Sequence, residues 1–204
     1  YEANDWRDPF VFRMEDGKYG MLLAARSLQG GMRHRGETAL CTSDDGVHWH
    51  VREPFWSPGL YYTHECPDYF KIGEWYYLVF SEFSQDKVTR YRMSRNPYGP
   101  WIAPKDDRFD GCAYYAAKTA GDDQDRYLFG WIATREGTTD AGDWQWGGCL
   151  VVHRLVQRED GTLGTEVPEC VWNAFPKNGV DWAGALDGTG SVAQTKLGQL
   201  DPTC

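Results

Sequence analysis

The sequence lacks the segments that mark membrane proteins, metal ribbons and nucleic-acid-binding proteins. No apolar run approaches the roughly 20 residues that a membrane-spanning helix needs. The six cysteines include no Cys-x-x-Cys pair, which zinc ribbons and thioredoxin-like motifs require. Basic residues number 21 against 30 acidic ones, and the net charge of −9 disfavours nucleic acid and anionic membrane surfaces. We therefore predict no nucleic-acid partner and no membrane partner.

Targeting signals are missing as well. No basic segment followed by an apolar one opens the chain, so no signal peptide is visible. The chain starts at Tyr1 without an initiator Met, and we interpret it as a chain that has lost its beginning. The compartment stays open between cytoplasm and secretion. Since a chain of 204 residues does not need disulfides to fold, most cysteines are interpreted as reduced, buried, small apolar residues.

Several motifs of cofactor and nucleophile chemistry do not occur. Gly30-Gly31 and Gly147-Gly148 are not followed by Lys-Ser/Thr, and there is no Gly-x-Ser-x-Gly elbow. His48 and His50 lie on one face of a predicted strand, but no nearby carboxylate spacing completes a ligand set. The sequence therefore predicts no cofactor and no metal.

Aromatic residues and glycine are abundant, whereas helical periodicity is hard to find. The chain holds 10 Trp, 12 Tyr and 23 Gly residues. Its apolar segments are short, aromatic or β-branched, and bounded by Gly, Asp, Asn or Pro, which is typical of strands joined by tight turns. Gly17 and Gly73 are predicted at hairpin turns because glycine readily adopts positive φ. The predicted fold is all-β, with strands that include 10–12, 19–24, 75–80 and 127–132.

The predicted strands recur with a period of about 50 residues, which is typical of four-stranded propeller blades. One copy begins at Asp8, a second at Cys66, and a third, looser copy at Cys112. We therefore expect about four blades of a propeller, with a sandwich or barrel of short strands as the alternative. The expected domains are an incomplete propeller over 1–172 and an irregular C-terminal segment, or last strands, over 173–204.

Two acidic motifs carry most of the functional signal: Arg7-Asp8-Pro9 and Glu65-Cys66-Pro67-Asp68. Each stands at the start of the same apolar pattern. In a propeller the first strand of each blade lines the central channel, so Asp8 and Glu65 would point into one axial pocket. Paired carboxylates in a shared pocket are the basic equipment of glycoside hydrolysis. An Asp before Pro is often only a turn former, so Asp8 by itself is the weaker signal.

These residues resemble the signature motifs of glycoside hydrolase family 32, the β-fructosidases. Trp6-Arg7-Asp8-Pro9-Phe10 and the Glu-Cys-Pro-Asp run resemble the second and third motifs of that family. Val152-His153-Arg154-Leu155 departs from the Pro-Arg-Glu-Leu that the family usually has there. The resemblance reaches to about Pro168, and three further segments contribute to it: Tyr114-Tyr115-Ala116-Ala117, Phe129-Gly130-Trp131-Ile132 and Trp146-Gly147-Gly148.

The resemblance implies a five-bladed β-propeller with a funnel-shaped pocket for a terminal fructose. The implied activity is retaining hydrolysis of β-fructofuranosides of the sucrose or fructan type. Glu65 would be the acid/base, and Asp8 would stabilise the transition state through fructose hydroxyls. Cys66 would tune the environment of Glu65, and the other residues implied to bind substrate are Arg7, Tyr115 and Trp131.

One part implied by the family is missing from the sequence. The nucleophile of the family is the Asp of an Asn-Asp-Pro segment upstream of Arg-Asp-Pro, and no such segment occurs here. Asn4-Asp5 is followed by Trp6 and stands too close to Asp8 to take that role. The C-terminal β-sandwich of the family is not recognisable either. We therefore expect this chain by itself to have little or no hydrolase activity.

Two other functions stay open. The first is a propeller glycosidase for arabinosides or xylosides, which the Glu-Cys-Pro-Asp run disfavours. The second is a non-enzymatic carbohydrate-binding propeller, with aromatic rings for stacking and carboxylates for hydroxyl groups. In each case the expected partner is a carbohydrate, and the sequence leaves the oligomeric state open.

Overall fold

The computed structural model describes residues 1–83, 87–122, 124–139 and 141–175. Within these ranges the chain forms three antiparallel sheets and very little helix. None of the helices among the described residues has the length and apolar character that crossing a bilayer requires. The all-β prediction is confirmed.

Each sheet is a meander whose neighbouring strands are also neighbours in sequence. The first sheet contains β1 (Trp6–Arg13), β2 (Tyr19–Arg26), β3 (Gly36–Ser43) and β4 (His50–Val51). The second contains β5 (His64–Ile72), β6 (Trp75–Glu82) and β7 (Val88–Ser94). The third contains β8 (Tyr114–Gly121), β9 (Arg126–Arg135), β10 (Trp144–Gln157) and β11 (Leu163–Glu166).

The hairpin turns follow the predicted glycine positions. Gly17, with φ of 82°, joins β1 to β2, and Gly73, with φ of 57°, joins β5 to β6. A residue with a side chain would be strained at such angles, so glycine fixes where each hairpin reverses. Two tryptophans from the connections between strands also pack back on the sheets: Trp49 contacts the core under β2 and β3, and Trp101 contacts the core beside β6.

The chain divides into two compact units, Tyr1–Glu166 and Val167–Cys204. All three sheets of the described residues belong to the first unit. The described part of the second unit contains one short helix, α1 (Glu169–Trp172). The domain limits 1–172 and 173–204 stay a prediction, because most of the second segment lies outside the described residues. The count of about four blades stays a prediction too.

Aromatic cores join successive sheets. Leu22 of β2 packs with Leu78 and Phe80 of β6, which links the first sheet to the second. Tyr77 of β6 shares a second core with Leu128 of β9, which links the second sheet to the third. These side chains are fully buried. Burial of one such side chain contributes roughly 1.5–3 kcal/mol, so the sheets are held together mainly by this packing.

The cysteines differ from their interpretation as buried apolar residues. Cys41 is buried and Cys66 is half-buried, but three others are exposed: Cys112, Cys149 and Cys170. All five are free thiols. Cys149 illustrates the reason, because it lies in the first half of β10, where the strand is exposed on both faces. Cys204 lies outside the described residues.

A repeated β-bulge shapes the first strand of every sheet. In β1, β5 and β8 the pairing register shifts near the start of the strand. Within each shift one residue has positive φ: 58° at Asp8, 49° at Cys66 and 52° at Ala116. These three residues are therefore equivalent positions. The predicted start of the third repeat at Cys112 is therefore wrong, since Ala116 is the position equivalent to Asp8 and Cys66. Ala116-Ala117 lacks the proline that follows the positive-φ residue in the other two repeats.

Tyr114 can lie across its sheet only because β9 has a glycine beneath it. A Cβ on Gly130 would stand 2.6 Å from the Tyr114 ring, whereas a Cβ on Gly147 of β10 would meet nothing within 4 Å. The Tyr114 hydroxyl donates to the carbonyl of Leu128 at 3.1 Å. Filling the space at Gly130 would therefore displace a buried, hydrogen-bonded ring next to Tyr115.

We expect Gly130→Ala to lower the free energy of unfolding by about 1–3 kcal/mol, since it overpacks a buried contact. Gly147→Ala is the matched control and should change it by less than about 0.5 kcal/mol. Urea titration followed by tryptophan fluorescence measures both values. Equal stability of the two variants would contradict the placement of the Tyr114 ring.

Candidate active site

Glu65 lies between side chains from the two neighbouring sheets. Arg7 Nη2 of β1 donates to Oε1 of Glu65 at 2.6 Å, and the Tyr115 hydroxyl of β8 donates to Oε2. Each of the three residues directly precedes the bulge residue of its strand. They are 58 and 50 positions apart in sequence, and only the packing of the sheets brings them together. The Glu65 side chain keeps 15% of its surface exposed, so a ligand can reach it.

The Asp8 carboxylate lies beside Glu65. Its Oδ2 accepts the backbone N–H of Cys66 at 3.0 Å, and the Cys66 thiol is 3.8 Å from the same oxygen. Arg7 Nε is 4.0 Å from Asp8 while Nη2 contacts Glu65. One guanidinium therefore lies between two carboxylates from adjacent sheets. Asp8 lies within β1 and Glu65 within β5, each close to the start of its strand.

Arg7 has a third acidic neighbour, because its Nη1 also donates to Asp5. Burial by itself would lower the pKa of Arg7, but the hydrogen bonds to Asp5 and Glu65 outweigh it, and the pKa is raised. The guanidinium is therefore a fixed cation. Asp5 also lies 3.6 Å from Arg26, so it anchors the base of the site.

Tyr115 is a permanent hydrogen-bond donor. Its side chain is 1% exposed, and burial is the main reason that its pKa is raised, with the Glu65 charge adding to the effect. A neutral phenol can only donate to a carboxylate oxygen, so Tyr115 and Arg7 together fix the plane of the Glu65 carboxyl group.

The Cys66 thiol is neutral at physiological pH. Burial, followed by the Asp8 charge, raises the pKa of Cys66 to about 12. Without a thiolate it is neither a nucleophile nor a metal ligand. Its sulfur is instead a small apolar surface between Asp8 and Glu65.

Trp131 belongs to an aromatic wall that starts at Tyr115. The Trp131 ring lies 6.1 Å from the Tyr115 ring and 6.0 Å from the Trp146 ring, with Tyr115 and Trp146 also 6.1 Å apart. Trp146 is 67% exposed, whereas Trp131 is half-buried behind it. The sequence pointed to Trp131 and missed Trp146, although both lie in segments that resemble the same family.

Sequence reasoning also missed the residues that support the bulges. Ser81 of β6 accepts the N–H of Ala116 at 2.9 Å, as Asp8 accepts the N–H of Cys66. Buried Asp68 accepts the N–H of Thr119 in the next sheet. Because these side chains come from single positions in different strands, no local pattern marks them, except that Asp68 closes the Glu-Cys-Pro-Asp run.

Lys118 is the other residue that the sequence did not indicate. Its Nζ donates to the carbonyl of Pro67 at 2.7 Å, and burial lowers its pKa. The charges of Asp68 and Asp8 act on it in the opposite direction, so these carboxylates lie close to it. Lys118 thus places a second cation behind the bulge of β5.

His64 anchors the strand that carries Glu65. It is fully buried, and burial lowers its pKa to about 3, so the ring is neutral. Its Nε2 lies 3.3 Å from the carbonyl of Leu60 and its Nδ1 lies 3.2 Å from the Thr38 hydroxyl. Since a carbonyl only accepts, we assign the proton to Nε2. The imidazole is therefore a structural clamp.

Solved structures of glycosidases share this fold. A family 32 β-fructofuranosidase from Bombyx mori matches with a TM-score of 0.64 at 20% identity, over 85% of this chain and 40% of that one. A xylan β-1,4-xylosidase from Bacillus halodurans matches with a TM-score of 0.58 at 17% identity, over 89% of this chain and 38% of that one. The sheets thus have the β-propeller fold.

Sequence comparison identifies the family. The chain belongs to glycosyl hydrolases family 32, whose N-terminal domain matches residues 2–166. A probable sucrose-6-phosphate hydrolase from Vibrio cholerae is 30% identical over 178 residues, which cover 77% of this chain and 31% of the relative. The chain thus spans about a third of the length of such relatives.

The environment of Cys66 predicts slow alkylation with a distinctive pH dependence. At pH 8.5 the thiolate fraction of a group with a pKa of about 12 is roughly 1,000-fold below that of an ordinary thiol, and labelling by iodoacetamide slows accordingly. The rate should rise about tenfold per pH unit between pH 8 and pH 11. Peptide mass spectrometry gives the rate for Cys66 beside that for exposed Cys112.

Asp8→Asn should speed this labelling because it removes a negative charge beside the sulfur, whereas Asp44→Asn, at a carboxylate that is 77% exposed, should not. Poor access alone would give a slow rate that levels off above about pH 9, as for a free thiol. That result would refute the assigned protonation state.

Proposed function

We propose that this chain supplies the acid/base and the transition-state stabiliser of a retaining glycoside hydrolase that acts on β-fructofuranosides of the sucrose or fructan type. The observation that carries the proposal is the Glu65 carboxyl group held between Arg7 and Tyr115 with Asp8 beside it. Membership of glycosyl hydrolases family 32 and the similarity to a probable sucrose-6-phosphate hydrolase support it.

Glu65 is assigned as the acid/base. Protonated Glu65 gives its proton to the glycosidic oxygen as the nucleophilic carboxylate of a retaining enzyme attacks the fructosyl carbon and the glycosidic bond breaks. Arg7 and Tyr115 then stabilise the carboxylate that is left, since both donate to it. In the second step water attacks the fructosyl carbon and displaces the nucleophilic carboxylate, while the Glu65 carboxylate takes a proton from the water.

Asp8 is assigned to hold the fructosyl ring. Its Oδ2 is fixed by the Cys66 N–H, while Oδ1 has no hydrogen-bond partner within the described part of the chain. Oδ1 can therefore accept sugar hydroxyls, and the carboxylate charge favours the oxocarbenium character of the transition state. Arg7 contributes donors beside it, and Cys66, Tyr115 and Trp131 are the proposed pocket surfaces.

The alternatives are weaker. An arabinoside- or xyloside-acting propeller shares the fold, as the Bacillus halodurans xylosidase does, but the family match and the Glu-Cys-Pro-Asp run favour fructosides. A carbohydrate-binding propeller without catalysis would use the same aromatic wall. It has no need for an acid whose carboxyl group is oriented by two donors.

Glu65→Gln in the full-length protein should lower kcat for sucrose by about 10²- to 10⁴-fold, because the amide cannot protonate the leaving oxygen. An aryl β-fructofuranoside, whose phenolate leaves without a proton, should lose far less in the fructosylation step. Initial rates and single-turnover kinetics measure both effects.

The matched control is Glu74→Gln, at an ion-paired glutamate that is 83% exposed, which should leave kcat within twofold. If Glu65→Gln reduced the rates on both substrates equally, or reduced neither, the acid/base role would be wrong.

We further propose that the 204-residue chain alone does not release fructose from sucrose. Retaining hydrolysis needs a nucleophilic carboxylate opposite the acid/base, and the sequence holds no Asn-Asp-Pro segment. Incubation of the purified chain with sucrose, followed by chromatographic detection of fructose, tests this point. Robust release by the chain alone would overturn it.

A further inference from the structure

The aromatic wall continues beyond the pocket that holds Glu65. From Tyr115 it passes to Trp146, whose ring lies parallel to that of Phe83 at 6.0 Å, with 3° between the planes. Phe83 in turn lies 5.7 Å from Tyr62. Trp146 and Phe83 are 67% and 42% exposed and stack on one another, so they form a contiguous exposed aromatic surface of the kind that binds ligands or partners.

Charged residues connect Tyr62, at the far end of the aromatic wall, to the cluster around Glu65. The Arg26 guanidinium lies 3.6 Å from the centre of the Tyr62 ring and 3.6 Å from Asp5, which is bound to Arg7. Contacts therefore form a closed circuit from Glu65 through the aromatic wall to Arg26 and back through Arg7. Arg26 is 1% exposed, so this return path is a fixed part of the structure.

An apolar groove of about 650 Å³ opens at the Tyr62–Phe83 pair. The lining side chain of Tyr61 is held in place, because the Arg92 guanidinium donates to the Tyr61 hydroxyl at 2.7 Å and to Asp107 at 2.5 Å. Tyr62 and Phe83 belong to both the wall and the groove. The remaining lining residues are Met32, Arg33, His34, Leu60, Tyr61 and Glu82.

We propose that this groove binds the sugar residues of the leaving group that lie beyond the sugar attached to the scissile bond. The inference rests on the proposed function, since it takes Glu65 as the acid that protonates the leaving oxygen. That acid must stand on the leaving-group side of the bond. The aromatic wall begins at Tyr115, which donates to this acid, so the wall and the groove extend along the leaving group.

The chemistry of the groove suits an oligosaccharide. Aromatic faces offer apolar surface to the C–H face of a sugar ring, and charged or hydrogen-bonding groups serve its hydroxyls. Arg33, His34 and Glu82 stand among the apolar residues of the groove. His34 Nδ1 is bonded to the carbonyl of Gly59 at 3.1 Å, which orients the ring. The protein is therefore inferred to prefer substrates longer than sucrose.

The test compares sucrose with nystose, a tetrasaccharide that carries a terminal β-fructofuranosyl residue. The full-length protein should show a higher kcat/KM for nystose. Phe83→Ala should raise KM for nystose at least about fivefold and change KM for sucrose less than twofold, because only the longer leaving group reaches the groove. Leu60→Ala, at a second lining residue of the groove, should also raise KM for nystose, which excludes misfolding of Phe83→Ala as the cause.

Tyr98→Ala removes an exposed aromatic ring outside the groove and should leave both substrates unchanged. Calorimetric titration of Glu65→Gln with each sugar separates the two proposals. If the protein hydrolyses both sugars and Phe83→Ala changes KM for both by the same factor, the groove assignment is wrong and the proposed function stands. If neither sugar is hydrolysed, but nystose binds more tightly than sucrose and Phe83→Ala abolishes this difference, the proposed hydrolase function is wrong and the groove remains a carbohydrate site.

Discussion

The site depends on one backbone feature, the β-bulge with positive φ near the start of the first strand of each sheet. Asp8, Cys66 and Ala116 adopt this conformation although none is glycine, at a cost of about 1–2 kcal/mol each. The side chain that directly precedes each bulge points toward a neighbouring first strand. β5 contacts both β1 and β8. Arg7, Glu65 and Tyr115 therefore meet. The cost is partly offset where Asp8 and Ser81 accept the N–H groups of the following bulges.

Electrostatics explain why such a cluster suits sugar chemistry. One cation, Arg7, is surrounded by Asp5, Asp8 and Glu65, so the cluster carries net negative charge whenever the acids are ionised. A positively charged sugar transition state is favoured there. Lys118 is held behind the bulge of β5 by the Pro67 carbonyl and limits the repulsion between Asp8 and Asp68. Packing between the sheets keeps these charges in place, because Arg7 and Asp8 come from β1, Glu65 and Asp68 from β5, and Lys118 from β8.

Much of the fold and the centre of the site could be predicted from the sequence. The hairpin glycines, the aromatic strands and the Glu-Cys-Pro-Asp run are local patterns, and they placed Asp8 and Glu65 in neighbouring repeats. The third repeat was misplaced because Ala116-Ala117 has neither a proline nor an acid. Ser81, Lys118 and Phe83 were missed for a different reason. Ser81 and Lys118 project from strands whose pattern is explained by the sheet, and Phe83 directly follows β6. The neighbours of these side chains become apparent only after the sheets pack.

The depth of burial divides the site into two parts with different physical constraints. Tyr115 and Arg26 are each 1% exposed, so a change in either disturbs the core or leaves a buried charge without its partner. Trp146 and Phe83 pack on one another but face outward, and truncating either removes contact area without opening the core. Carboxyl geometry and leaving-group preference are thus set by different residues. Substitutions along the outer wall can change which chain length fits best while Glu65 keeps both of its donors.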